Sequence, residues 1–194
     1  MRFSDAAGAS RNASYLNVIR SNYYNYLNSS DNPAQKQRQL YNAVTIFLND
    51  QYRYNTSFLT TMIYFDFNPE EIYFTYSNIK SGTFDRVKQF KNTALEQVQE
   101  GAENLDTGIL FLEVKDNLYM VRNMMTSKFR PFAVITMELD KEAMFKSLES
   151  IVGYQGYEVY VDGKVIADTN TVDKVCEEYR NHSEGRLSAD RLQG

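Results

Sequence analysis

Apolar side chains recur at helical spacing near the start of the chain, at Tyr15, Leu16, Ile19, Tyr23, Tyr26 and Leu27, which predicts an amphipathic helix from Asn12 to Asn28. The polar run Ser29-Ser30-Asp31-Asn32 closes it. Pro33 then opens a second helix reaching Gln51, because proline is accepted in a first turn, where its missing N–H has no helical partner anyway. Leu40, Val44, Phe47 and Leu48 form one stripe on this second helix. Two successive helices with narrow apolar stripes must bury them on each other or on a sheet.

The period then changes. Thr60 to Phe67 (TTMIYFDF) is rich in β-branched and aromatic residues and ends at Asn68-Pro69, a turn signal; Ile72 to Tyr76 (IYFTY) is a second short strand. From Thr83 to Gly101 the spacing returns to three and four, with Phe84, Val87, Phe90, Ala94, Leu95 and Val98 on one face, so a helical insertion is expected. Three strands follow: Gly108 to Val114, Leu118 to Met125 after an Asp116-Asn117 turn, and Phe132 to Leu139 after a Ser127–Pro131 loop. Connections this short force antiparallel neighbours. Asp140 is placed to cap a closing helix through Ile151.

Beyond Gly153, Tyr157–Val161 and Lys164–Asp168 flank Asp162-Gly163, the dipeptide of a type I′ hairpin, and Thr171 to Asn181 has the pattern of a weakly amphipathic helix. The expectation is therefore an α+β chain. A first domain, residues 1–151, carries long N-terminal helices and a five-stranded antiparallel sheet. Residues 152–194 begin a second, smaller module.

Composition narrows the function. A net charge of -4 carries no basic footprint for nucleic acid. The only cysteine, Cys176, has no intrachain partner. The only histidine, His182, lies near a polar tail, so a Ser-His-Asp triad or a histidine metal site is not expected. There is no glycine-rich phosphate loop, and Asp66, Glu70 and Glu71 lack the alternation and glycine of a calcium loop. No catalytic residue, metal or cofactor is implied. No run approaches the roughly 18 apolar residues of a membrane span, and Arg2–Ser10 lacks the apolar centre of a signal peptide. A helix near one end and polar residues at the other suggest an excerpt of a longer protein whose membrane segments lie outside it.

The order of elements, with the text NLYMVRNMMTSKFRPFAVITMELDKEAMFKSL (residues 117–148), resembles the Cache domain, the PAS-like extracytoplasmic sensor of bacterial histidine kinases and chemoreceptors. The resemblance covers about residues 12–151. The text YEVYVDGKVIADT (residues 157–169) looks like the opening hairpin of a second, membrane-proximal module, as in double-Cache receptors. One amino-acid-binding subgroup carries a Trp beside an Arg ahead of the third strand. This chain has Phe84-Asp85-Arg86 there and no Trp, so the resemblance does not extend to an amino-acid ligand.

The resemblance implies a small-molecule ligand held between the sheet and its helical insertion. The matching candidates are Tyr119 and Arg122 on the central hairpin strand, Tyr73 and Tyr76 on the second strand, and Arg86 at the start of the insertion. A guanidinium grips a carboxylate through two parallel bonds, and a tyrosine offers a ring plus a hydroxyl. Strand alternation sets Tyr119 and Arg122 on opposite faces unless a bulge intervenes. Each candidate also has a structural alternative: Arg122 paired with Glu113 or Glu138, the tyrosines packed in the core or its rim, Arg86 turned to water.

The expected function is ligand sensing by the extracytoplasmic part of a bacterial transmembrane receptor, a histidine kinase whose catalytic part lies elsewhere; this chain is expected not to be an enzyme. The alternative is a module without ligand that dimerises through its N-terminal helices, using Tyr15, Tyr23 and Tyr26.

Overall fold

The structure, a computed structural model, describes residues 17–55, 58–76 and 84–141, and the backbone of strands at 158–161 and 164–168. Helix α1 runs Asn17–Leu27 and α2 Pro33–Tyr52. Asn32 caps α2 from a left-handed conformation (φ 57°), its side-chain oxygen accepting from the Gln35 N–H while Pro33 takes the first turn. The stripe Leu40, Val44, Phe47 and Leu48 is buried as its spacing requires.

Five strands form one antiparallel sheet: β1 Phe58–Phe65, β2 Asn68–Tyr76, β3 Leu110–Val114, β4 Asn117–Met125 and β5 Pro131–Leu139, in the spatial order β2-β1-β5-β4-β3. The link from β2 to β3 must cross from one edge of the sheet to the other. It carries the insertion, which is two helices, α3 Phe84–Thr93 and α4 Leu95–Glu103, rather than one. Thr93 Oγ1 donates back to the Gln89 carbonyl (2.8 Å), a bond that bends helices, and Ala94 sits at the break with φ -122°.

Two turns differ from expectation. Asn68-Pro69 belongs to β2, not to the turn before it. A proline lacks the ladder N–H but is tolerated there because β2 is an edge strand. Val114 pairs with Asn117, so the β3–β4 turn is Lys115-Asp116, both with positive φ (48° and 67°), and not Asp116-Asn117.

The register assigns faces. Thr60, Met62 and Tyr64 of β1 lie across from Glu138, Thr136 and Val134 of β5, which lie across from Tyr119, Val121 and Asn123 of β4. This face packs under α3 and α4, whose Val87, Phe90, Leu95 and Val98 are buried with Met62, Tyr64, Tyr119 and Val121. The Phe84 side chain expected to join that stripe lies outside the described residues. The opposite face carries Thr61, Ile63, Tyr73, Met120 and Arg122 and meets α1 and α2: Tyr23 lies 4.8 Å from Phe132 and 5.8 Å from Phe65 between ring centroids, and Tyr41 5.7 Å from Tyr73. Tyr23 is thus core, and Tyr26 packs on Phe67 at 5.0 Å. Tyr26 remains half-buried, and Tyr15 lies outside the described residues.

The chain divides into two compact units, Met1–Asp140 and Lys141–Gly194. In the second, β6 (Glu158–Val161) pairs antiparallel with β7 (Lys164–Asp168) as a separate two-stranded sheet. The Asp162-Gly163 turn, all but the first two residues of the helix expected at Asp140–Ile151, the helix at Thr171–Asn181 and the boundary after residue 151 lie outside the described residues.

Candidate functional site

One row of side chains crosses the whole sheet beneath the insertion. Tyr76 of β2 is paired with Thr60 of β1, Thr60 with Glu138 of β5, Glu138 with Tyr119 of β4, and Tyr119 with Leu112 of β3. Partners in register point to the same face. Above the row, Arg86 in the first turn of α3 donates from Nη1 to Glu138 Oε1 at 2.5 Å. The Glu138 side chain is 4% exposed and that of Arg86 28%, so the pair joins a nearly dry carboxylate to a guanidinium that still touches water.

Burial raises the Glu138 carboxyl above the usual carboxylate range, although the charge and hydrogen bond of Arg86 pull it back down. Burial likewise raises Tyr119 and Tyr76. The Glu138 charge adds to that rise for Tyr119, as Asp85 and then Glu138 do for Tyr76, and Arg86 opposes it in both. The four groups share one electrostatic neighbourhood.

Several buried polar atoms find no hydrogen-bond partner among the described residues. The hydroxyls of Thr60, Thr136 and Tyr64 and the Gln99 amide nitrogen are buried without a hydrogen bond of good geometry. Thr60 still lies near enough to Glu138 to favour its charged form. Buried polar groups are normally satisfied by protein or by ordered water. Thr61 and Tyr73 on the opposite face are in the same condition, so the feature is concentrated under the insertion but not confined to it.

The five residues singled out from the sequence therefore separate. Arg86, Tyr76 and Tyr119 converge on Glu138. Tyr73 sits on the opposite face, 5% exposed, with its ring 5.5 Å from Phe65. Arg122 also lies on that opposite face, so it cannot anchor a ligand under the insertion. Nor does it pair with Glu138, whose partner is Arg86. Arg86, in turn, does not simply face water. Glu138 was visible in the sequence only as a prospective partner for Arg122; its signal is a lone carboxylate inside the apolar strand FAVITMEL.

Arg122 instead donates from Nη2 to the Thr107 carbonyl (3.4 Å) and lines a cavity of about 130 Å3 at the end of the sheet, together with Arg20, Met125, Thr126 and Phe129. Among the described residues, no group of acids, histidines or cysteines is arranged to hold a metal, and no helix is long and apolar enough to cross a membrane.

Comparison with protein-family models and with curated protein sequences returns no match.

Proposed function

We propose that this chain is the ligand-sensing part of a bacterial transmembrane receptor, carried on the extracytoplasmic side, with a histidine kinase as the output of the parent protein and no catalysis in the domain itself. The observation that carries the reading is the Arg86–Glu138 contact: an ion pair ties the helical insertion to the central strand, on the sheet face where the Thr60, Thr136 and Tyr64 hydroxyls are buried. Such a pair is a natural point for a ligand to intervene. A polar molecule entering the seam would compete for Arg86 or bond to Glu138 and the hydroxyls, and would favour one placement of the insertion over another. A ligand shifts an equilibrium only by its differential affinity for the two states, and this seam is where the two states would differ. The PAS-like resemblance implies a ligand in the same place, between sheet and insertion, and the crossover of α3 and α4 over one face supports it.

The test is a thermal-shift screen of small polar metabolites on the wild-type chain, repeated on Arg86→Ala and Glu138→Gln. A ligand specific to the folded state raises the melting temperature by mass action. The reading expects a hit whose stabilisation is lost in both variants. A screen without hits, or a hit indifferent to both substitutions, would count against it. Exposed Val18 (58%) and Ile46 (60%) on the N-terminal helices favour the second reading, a dimerising module without ligand. It predicts a dimer in sedimentation and no hit in the screen.

A further inference from the structure

The cavity at the end of the sheet arises from a mismatch in strand length. β3 has five residues and β4 nine, and Val121 is the last residue of β4 with a β3 partner. The bare edge beyond it is covered by the loop after α4. Asn123 Nδ2 donates to the carbonyls of Ala102 (2.8 Å) and Leu105, and Arg122 reaches the Thr107 carbonyl. Between this loop, α1 and the β4–β5 turn lies the 130 Å3 cavity. One water needs roughly 10–15 Å3 in this measure, so the space suits a molecule of about ten heavy atoms.

Its walls are chemically two-sided. Arg20 and Arg122 supply two guanidinium groups, Thr126 and Ser127 supply hydroxyls, and among the described residues lining it none is acidic. Arg20, half-buried, lines the cavity while donating to Asn17 Oδ1. The other side is apolar, with Met125 and Phe129. Phe129 is unusual twice over. Its φ is 56°, a conformation that a bulky residue adopts rarely, and its ring is 73% exposed. The turn enforces this conformation: Thr126 accepts at its carbonyl from the Phe129 N–H (3.1 Å) and at Oγ1 from the Arg130 N–H (3.0 Å). A turn that holds an aromatic ring open to solvent in a strained backbone, beside two cations, fits a surface awaiting an apolar partner with negative charge.

We infer that this cavity is a binding site for a small organic carboxylate, with the carboxylate between Arg20 and Arg122 and the apolar body against Met125 and Phe129. Arginine suits the first role because its planar fork matches both carboxylate oxygens. The site lies apart from the Arg86–Glu138 seam, on residues that the proposed sensing site does not use, and it stands or falls separately.

The test is isothermal titration of the 194-residue chain with benzoate and with 4-methylpentanoate, set against benzamide and inorganic phosphate. Saturable binding of at least one carboxylate is expected, with benzamide at least about tenfold weaker because it lacks the charge that two arginines recognise. Arg20→Ala should weaken that binding at least about tenfold, and Phe129→Ala several-fold, with far-UV circular dichroism unchanged. Arg86→Ala should leave it unaltered. The inference is overturned if neither carboxylate binds, if benzamide binds equally, or if Arg20→Ala has no effect. Phosphate binding as tightly as the carboxylates, indifferent to Phe129→Ala, would make this a plain anion site and refute the organic ligand. Loss of binding in Arg86→Ala alone would move the ligand to the seam. Arg20 is the chosen probe because it is the less buried of the two, whereas replacing Arg122, 8% exposed, would disturb the fold.

Discussion

Arg86→Ala is the most informative perturbation of the first unit. The substitution removes the partner of a carboxylate that is almost fully buried. Breaking a buried ion pair by deleting one member costs about 3–5 kcal/mol, because the remaining charge is stranded. Arg86 is 28% exposed, so solvent already screens part of the attraction, and a loss of about 2–3 kcal/mol at neutral pH is expected. The pH dependence is the sharper test. The Glu138 carboxyl is already raised by burial from its reference value of 4.5, and Arg86 is the main influence lowering it, so the variant raises it further. A carboxyl whose folded pKa lies above its unfolded one binds its proton more tightly when folded, and stability falls as pH rises through the interval between the two. That interval widens in the variant. Urea unfolding at about pH 5 and about pH 8, followed by far-UV circular dichroism and by tyrosine emission since the chain has no Trp, should show a deficit against wild type that grows with pH. Adding Glu138→Gln removes the stranded charge, so the double variant should be more stable than Arg86→Ala alone near pH 8. A deficit equal at both pH values, or larger in acid, would mean that Glu138 is not held as an ion by Arg86.

Phe90 is fully buried and meets Tyr119 edge-on at 5.4 Å, fastening the insertion to the sheet, so Phe90→Ala should lower unfolding free energy by about 3–5 kcal/mol in the same urea assay. Asn123→Ala removes the amide that fastens the loop after α4. It should cost about 1–3 kcal/mol and speed hydrogen exchange selectively in residues 102–107, whereas uniform acceleration would refute a local role. Tyr23→Phe deletes a hydroxyl that donates to both Asp66 carboxylate oxygens at 3.0 Å, and thermal unfolding should report a loss of about 1–2 kcal/mol with the ring packing intact.

Much of the fold was legible along the chain. The α2 stripe, the five extended segments and the short turns between the last three depend on local spacing and turn chemistry, and each appears at or within a few residues of its expected place. The misplacements are local as well. Asn68-Pro69 reads as a turn until β2 is known to be an edge strand, which tolerates proline. The insertion reads as one helix because its hydrophobic period runs through Ala94 without interruption, while the bend comes from a hydroxyl-to-backbone bond that periodicity does not record.

Site residues were legible only in part. Arg86, Tyr76 and Tyr119 were all singled out from the sequence, but what joins them was not, because Glu138 appeared only as a prospective partner for Arg122. Strand alternation puts residues on one face or the other, and that much separates Tyr119 from Arg122. It does not say which strands are neighbours. The pairing of β1 with β5, elements far apart along the chain, sets Thr60 beside Glu138, and the β4–β5 register sets Glu138 beside Tyr119. The helical crossover then lowers Arg86 onto that row. The sequence by itself determined the elements, their period and the parity of each side chain, because these follow from interactions a few residues apart. Only the tertiary structure decided the strand order, the partner of Glu138 and the cavity shared by Arg20 and Arg122, because each arises from contacts between segments whose separation along the chain leaves no local trace.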